Sequence, residues 1–241
     1  MCSSDLKDEL RKQARDLLVE ARRVYQAASE RYKAEHESFD KFIPQNDKRY
    51  AAREKAFVNA IQAEFHLGQV IHQEAQTHEK GSPEFKKLLL DASNAFESIH
   101  SRHRSQVIGL YARMWQGKCF EEMDELTKAL GIYNELLEHR GKDGSPLEDL
   151  QNRVLQFRLV CLNNDLRKDY RVVMQEAEAW RKSHRNELNT RVGLGIQWEQ
   201  ARAEEMLARA EDTPEVEKRK LRQGALDTAR RINRFPGEYK D

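Results

Sequence analysis

The chain has 241 residues, with 42 Lys and Arg against 41 Asp and Glu, for a formal net charge of +1. At 39% apolar and 34% charged, with a mean hydropathy of −0.89, it is too polar for one compact sphere and too well patterned for disorder. No apolar run approaches the roughly 20 residues that span a bilayer, no charged-then-apolar leader opens the chain, and the balanced charge argues against a nucleic-acid or membrane surface spread over the whole molecule.

Glycine and proline are scarce, which leaves few turns and therefore few, long elements. Apolar residues recur at helical spacing and no strand-like alternation persists, so the fold class expected is all-α. In chain order the spacing predicts helices over 7–40, 47–80, 83–102, 105–121, 123–140, 146–164, 167–184, 187–210 and 214–233. The first two are long enough to form an antiparallel hairpin over 7–80, with Asn46 as the cap of the second. Ser82-Pro83, Ser145-Pro146 and Thr213-Pro214 read as N-caps followed by proline at the first helical position, where no N–H is needed. Glu148 completes a capping box with Ser145, and Gly81 and Gly144 fit the helix ends or loops before the caps.

Five helices carry a small or β-branched residue, a second residue four on and a third three further. These are Ala21/Tyr25/Ala28, Ala92/Phe96/Ile99, Ala129/Tyr133/Leu136, Val173/Ala177/Trp180 and Ala225/Ala229/Ile232. That spacing puts each triplet on one helix face, where the small residue lets a neighbour approach. The alternate helices carry a different mark: Leu67-Gly68-x2-Ile71, Gln116-Gly117-x2-Phe120, Val160-Cys161-x2-Asn164 and Leu194-Gly195-x2-Trp198. A glycine inside a helix costs about 1 kcal/mol against alanine, so it is expected to mark a tight crossing.

On these marks the chain resembles the tetratricopeptide-repeat family, whose pattern is W-x2-L-G-x2-Y in helix A and A-x3-F in helix B. Gly117 to Ala129 and Cys161 to Val173 are each 12 residues, as the family has, and Cys161 to Gly195 is 34, the family period. The departures are Gly68 to Ala92 at 24, Gly195 to Ala225 at 30 and Gly68 to Gly117 at 49, and the early tryptophan position is met only by Phe157. The resemblance implies an α-solenoid of antiparallel helix pairs, with long N-terminal helices and TPR-like pairs over 81–241. It is strongest over 106–184.

The first and last helices both carry the helix B mark, and Phe235-Pro236-Gly237 looks like a turn leading onward, so both ends are expected to cut through a longer array. Met1-Cys2-Ser3-Ser4-Asp5-Leu6 is similar to the translation of a common sequencing-adapter end, so residues 1–6 are expected to be a read-through artefact.

No catalytic, metal or cofactor site is expected. Glu97-x2-His100 is half of a di-iron carboxylate motif without its second half. Glu74 and His78 read as a surface pair. Cys119 and Cys161 read as packed structural thiols. Gly193-Leu-Gly195 lacks the third glycine of a dinucleotide fingerprint, and Gly141-Lys-Asp-Gly-Ser145 lacks the phosphate-loop pattern. The basic clusters Lys218-Arg219-Lys220-x-Arg222 and Arg230-Arg231-x2-Arg234 are diluted by Glu215, Glu217, Asp227 and Glu238, so nucleic acid is not the expected partner.

What the resemblance implies instead is a non-catalytic protein-interaction scaffold whose concave groove, lined by helix A, holds a protein or peptide. Counting from the glycine-like positions, the groove candidates are Gln62, Gln69, His72 and Gln73, then Tyr111 and Lys118, then Arg158, and finally Glu199. The family's two-carboxylate clamp of Lys, Asn and Arg is not reproduced. Two other readings stay open: a helical-bundle enzyme or metal protein, in which His66, His72 and His100 converge, and a nucleic-acid-binding helical repeat.

Overall fold

The computed structural model describes residues 3–139 and 146–235, with side chains over 6–139 and 147–235. Cys2, the loop and caps at Gly141–Ser145 and the turn from Pro236 onward lie outside the described residues. Among those described, all regular structure is helical: α1 (Ser3–Glu37), α2 (Lys48–Ala75), α3 (Pro83–Arg102), α4 (Val107–Glu122), α5 (Leu126–Glu138), α6 (Pro146–Asn163), α7 (Tyr170–Ser183), a 3-10 turn (Arg185–Glu187), α8 (Arg191–Arg209) and α9 (Glu215–Ile232). None of these helices is long and apolar enough to cross a membrane.

The caps explain where the helices start. Ser82 Oγ accepts the Phe85 N–H at 3.2 Å with Pro83 in the first turn, after a turn in which Gly81 takes a φ of +85°. The second helix is capped by Asp47, not Asn46, because Asp47 N–H closes a turn onto Pro44 and its carboxylate accepts the Arg49 N–H at 2.8 Å. At the last helix the cap is Pro214 rather than Thr213. The Pro214 carbonyl is the first acceptor, from Lys218 N–H, and Thr213 is buried. Helix α2 stops at Ala75, short of 80, because the N–H groups of Gln76, Thr77 and His78 turn to carbonyls three residues back. Asp124 and Lys168, both at positive φ, delay the starts of α5 and α7 relative to the expected bounds.

The chain divides into two compact units, 1–128 and 129–241, with the boundary in the first turn of α5. In the first unit α1 runs antiparallel to α2: Tyr25 meets His66, Lys33 pairs with Glu64, and His36 meets Phe57. The α1–α2 hairpin leaves Phe65 and Ile71 to be covered by Phe85, Leu89, Phe96 and Ile99 of α3. Helix α4 then packs on α3 through Ala112 and Cys119. In the second unit α6 packs against α7 and α8, α7 against α8, and α8 against α9.

The triplet faces supply the contacts. Ala92/Phe96/Ile99, Ala129/Tyr133/Leu136 and Val173/Ala177/Trp180 are all buried. Ala21/Tyr25/Ala28 on α1 and Ala225/Ala229 on α9 are half-buried. The tight crossing expected at Gly68 is present: a Cβ there would lie 2.8 Å from the Phe96 ring. On α8 Gly193 makes a close approach: a Cβ there would lie 2.1 Å from the Glu187 carbonyl oxygen. Cys119 and Cys161 are buried and in no disulfide, and burial, followed by the Glu122 charge, pushes the Cys119 thiol far up so that it stays protonated.

Candidate functional site

The groove candidates of the first unit lie on α2 and α4. Gln62, Gln69 and Gln73 share one α2 face by their spacing of seven and four. Gln62 and Gln73 are exposed, while Gln69 is half-buried and its Oε1 accepts from His66 Nδ1 at 3.0 Å. His72 does not face a groove: it is 4% exposed, its ring edge-on to Trp115 at 5.1 Å. Its Nε2 sits 2.9 Å from Glu122 Oε2. Gln76 Nε2 donates to the same oxygen at 2.6 Å, and Lys118 bridges Glu121 at 2.5 Å and Glu122 at 3.5 Å. Burial alone would raise the Glu122 carboxyl, but His72, Lys118 and Gln76 outweigh it and hold it below its usual range. Burial also opposes the Lys118 charge, and the two glutamates overcome it. Lys118 is thus spent inside the fold, and Tyr111 packs half-buried against the α2–α3 core.

A pair of adjoining clefts lies along α1, α2 and α3, with volumes of about 260 and 370 Å³. Both are lined by Lys33, Glu64 and Arg102. Glu64 is gripped from two sides, by Lys33 and by Arg102 Nη2 at 2.5 Å, which more than offsets the effect of burial and lowers its carboxyl. The smaller cleft also holds His103, which burial and then Arg102 keep below its ordinary range, hence neutral at physiological pH. His66, His72 and His100 do not share one setting: His100 Nδ1 donates to the Gly109 carbonyl at 3.1 Å, and Glu97 is exposed.

In the second unit Arg158 forks onto Glu176 through Nε at 2.9 Å and Nη2 at 2.8 Å, with Nη1 on Asn134. The fork raises its already high pKa and holds the guanidinium in one place. Glu199, a groove candidate, is 5% exposed instead: Asn163 Nδ2 donates to its carbonyl and its Oε2 at 2.8 Å, and Arg202 pairs with it at 2.9 Å. A groove of about 480 Å³ between α8 and α9, floored by Trp198, Ala201, Ala225 and Ala229, escaped the sequence reading. Its signal was present in the small residues of the last triplet.

Glu204 shows the opposite electrostatics to Glu122. Burial raises its carboxyl against the pull of Gln200 Nε2 at 2.9 Å and of Arg181, and its Oε2 has no partner among the described residues. A raised folded pKa means that ionisation is disfavoured in the native state, so the penalty is present at neutral pH and disappears as pH falls below the ordinary carboxylate range. Glu204→Gln is therefore expected to raise the melting temperature at pH 7 and to leave it unchanged near pH 3. An equal gain at both values would contradict the assignment.

No protein-family model, curated protein or solved structure matches the chain.

Proposed function

We propose that each unit is a short stack of tetratricopeptide-like helix pairs, and that the chain is a protein-binding scaffold without chemistry of its own. The supporting observation is that alternate helices touch across the one between them. In the first unit α2 meets α4 through His72 on Trp115 and Gln76 on Glu122. In the second α6 meets α8 through Asn163 on Glu199. Stacked helix pairs require such contacts between successive A helices, whereas a closed four-helix bundle brings its first and last helices together. The main packing of α1 is on α2. The buried polar pairs fix the register of the stack, and the exposed glutamines of α2 offer adaptable polar contacts to a partner.

A photo-cross-linking residue placed at Gln73, with a control at the exposed Lys87 of α3, tests the reading in cells producing the protein. Discrete protein adducts from position 73 and none from position 87 are expected. Equal adducts from both, adducts to nucleic acid, or none from 73 would overturn it.

A further inference from the structure

Glu148, in the first helical turns of α6, His184, just past the end of α7, and Glu187, in the 3-10 turn, bring three ligand atoms within 4.8 Å of one another. We propose that these three side chains bind a zinc-type divalent cation that clips the start of α6 to the α7–α8 connection. The site stands apart from the scaffold reading and does not depend on it.

The imidazole carries the argument. His184 Nδ1 lies 3.0 Å from the Trp180 carbonyl oxygen and 2.8 Å from Ser183 Oγ. A carbonyl can only accept, so in its neutral form the ring carries its proton on Nδ1 and leaves Nε2 as the ligand atom. Nε2 faces the Glu148 carboxylate, with Oε1 at 3.8 Å, too long for a hydrogen bond. Zinc bonds of about 2.1 Å put tetrahedral ligand atoms about 3.4 Å apart, so this pair has only a few tenths of an ångström to close.

The ligands are also aimed. The His184 ring lies flat on the Trp180 indole, with centroids 4.9 Å apart and 7° between planes. The same indole donates Nε1–H to Asn152 Oδ1 at 2.7 Å, and Asn152 Nδ2 donates to Glu187 Oε2 at 2.7 Å. Trp180 and Asn152 are each 5% exposed, so two of the three ligands are oriented by one buried pair. Metal-binding histidines are held in this way, with the second ring nitrogen on a carbonyl or carboxylate. Nitrogen with two carboxylate oxygens suits zinc, and three protein ligands leave a position for water.

The test is calorimetric titration of the chelator-stripped chain with Zn2+, with Trp emission followed in parallel. Co2+ serves as the spectroscopic substitute. One equivalent of Zn2+ is expected to bind at micromolar metal, with a change in the emission of Trp180 and tetrahedral Co2+ bands in the visible. Glu148→Gln and Glu187→Gln keep shape and helix content and are each expected to weaken binding at least tenfold. Absence of heat, emission change and Co2+ bands would overturn the proposal, as would undiminished binding by the double variant with unchanged circular dichroism.

Discussion

Alanine at Gly193 is expected to destabilise the second unit by about 2 to 3 kcal/mol, and alanine at Gly109 to do the same to the first. Both glycines are the third residue of their helix, α8 and α4, and in both the chain six residues earlier doubles back beneath that first turn. A Cβ on Gly193 would meet the Glu187 carbonyl oxygen at 2.1 Å and the Trp180 ring at 3.1 Å. On Gly109 it would meet the His103 carbonyl oxygen at 2.0 Å and its carbon at 2.6 Å. Helix propensity favours alanine by only about 1 kcal/mol. The obstacle is backbone rather than a side-chain tip, and moving it disturbs the His103 cap in one unit and the Glu187 turn in the other, so the clash wins. Gly131 of α5 is the control, exposed and with nothing within 4 Å of an added Cβ. Alanine there should gain about 1 kcal/mol. Thermal unfolding measures the sign, and amide exchange assigns the loss to α2–α4 or to α6–α8. Melting of Gly193→Ala at or above the parent temperature would refute the close approach.

The same two glycines show how far the chain could be read. Helix existence was legible because it follows local rules: Ser82 before Pro83, small and large residues four and three apart, no alternation of period two. The buried triplets on α3, α5 and α7 are such a rule and lie where the spacing places them. What fills the space in front of a polar residue is not local. His72 and Gln73 are neighbours of similar polarity, yet one is covered by Trp115 and Glu122, more than 40 residues away, and the other is exposed. Glu199 is taken by Asn163 in the same way. With a third of the chain charged, Glu64, Lys33 and Arg102 had no contrast against their background. The His184-x2-Glu187 spacing was open to inspection, but it crosses a helix break and its third member stands 36 residues earlier at Glu148. Gly193 makes a close contact with Glu187, six residues earlier and across the helix break, which no local spacing rule marks.

The second large effect is a reversal of sign at the α2–α3 crossing. Phe96 is fully buried, its ring 5.7 Å from Phe65, stacked on Trp115 at 6.0 Å and seated on Gly68. Phe96→Ala removes a ring that Leu89, Ala92 and Ile99 cannot replace without shifting the helix, and is expected to cost about 4 kcal/mol, the upper range for such truncations. Gly68→Ala alone puts a methyl 2.8 Å from the Phe96 Cε1 and 3.0 Å from its Cζ. The ring is confined by Phe65 and Trp115 and cannot swing aside, so this substitution is expected to cost about 2 kcal/mol despite alanine's better helix propensity. In the Phe96→Ala background the obstacle is gone. There the methyl partly fills the cavity and the propensity gain is free to act, so Gly68→Ala should stabilise by about 1 kcal/mol. The coupling across the cycle is then about 3 kcal/mol, at the top of what contacting residues show. Amide exchange in α2 and α3, with α7 and α8 as internal reference, reads each corner of the cycle. Additive effects of the two substitutions would mean that glycine at 68 does not serve the passage of Phe96, and that the crossing is held by other contacts.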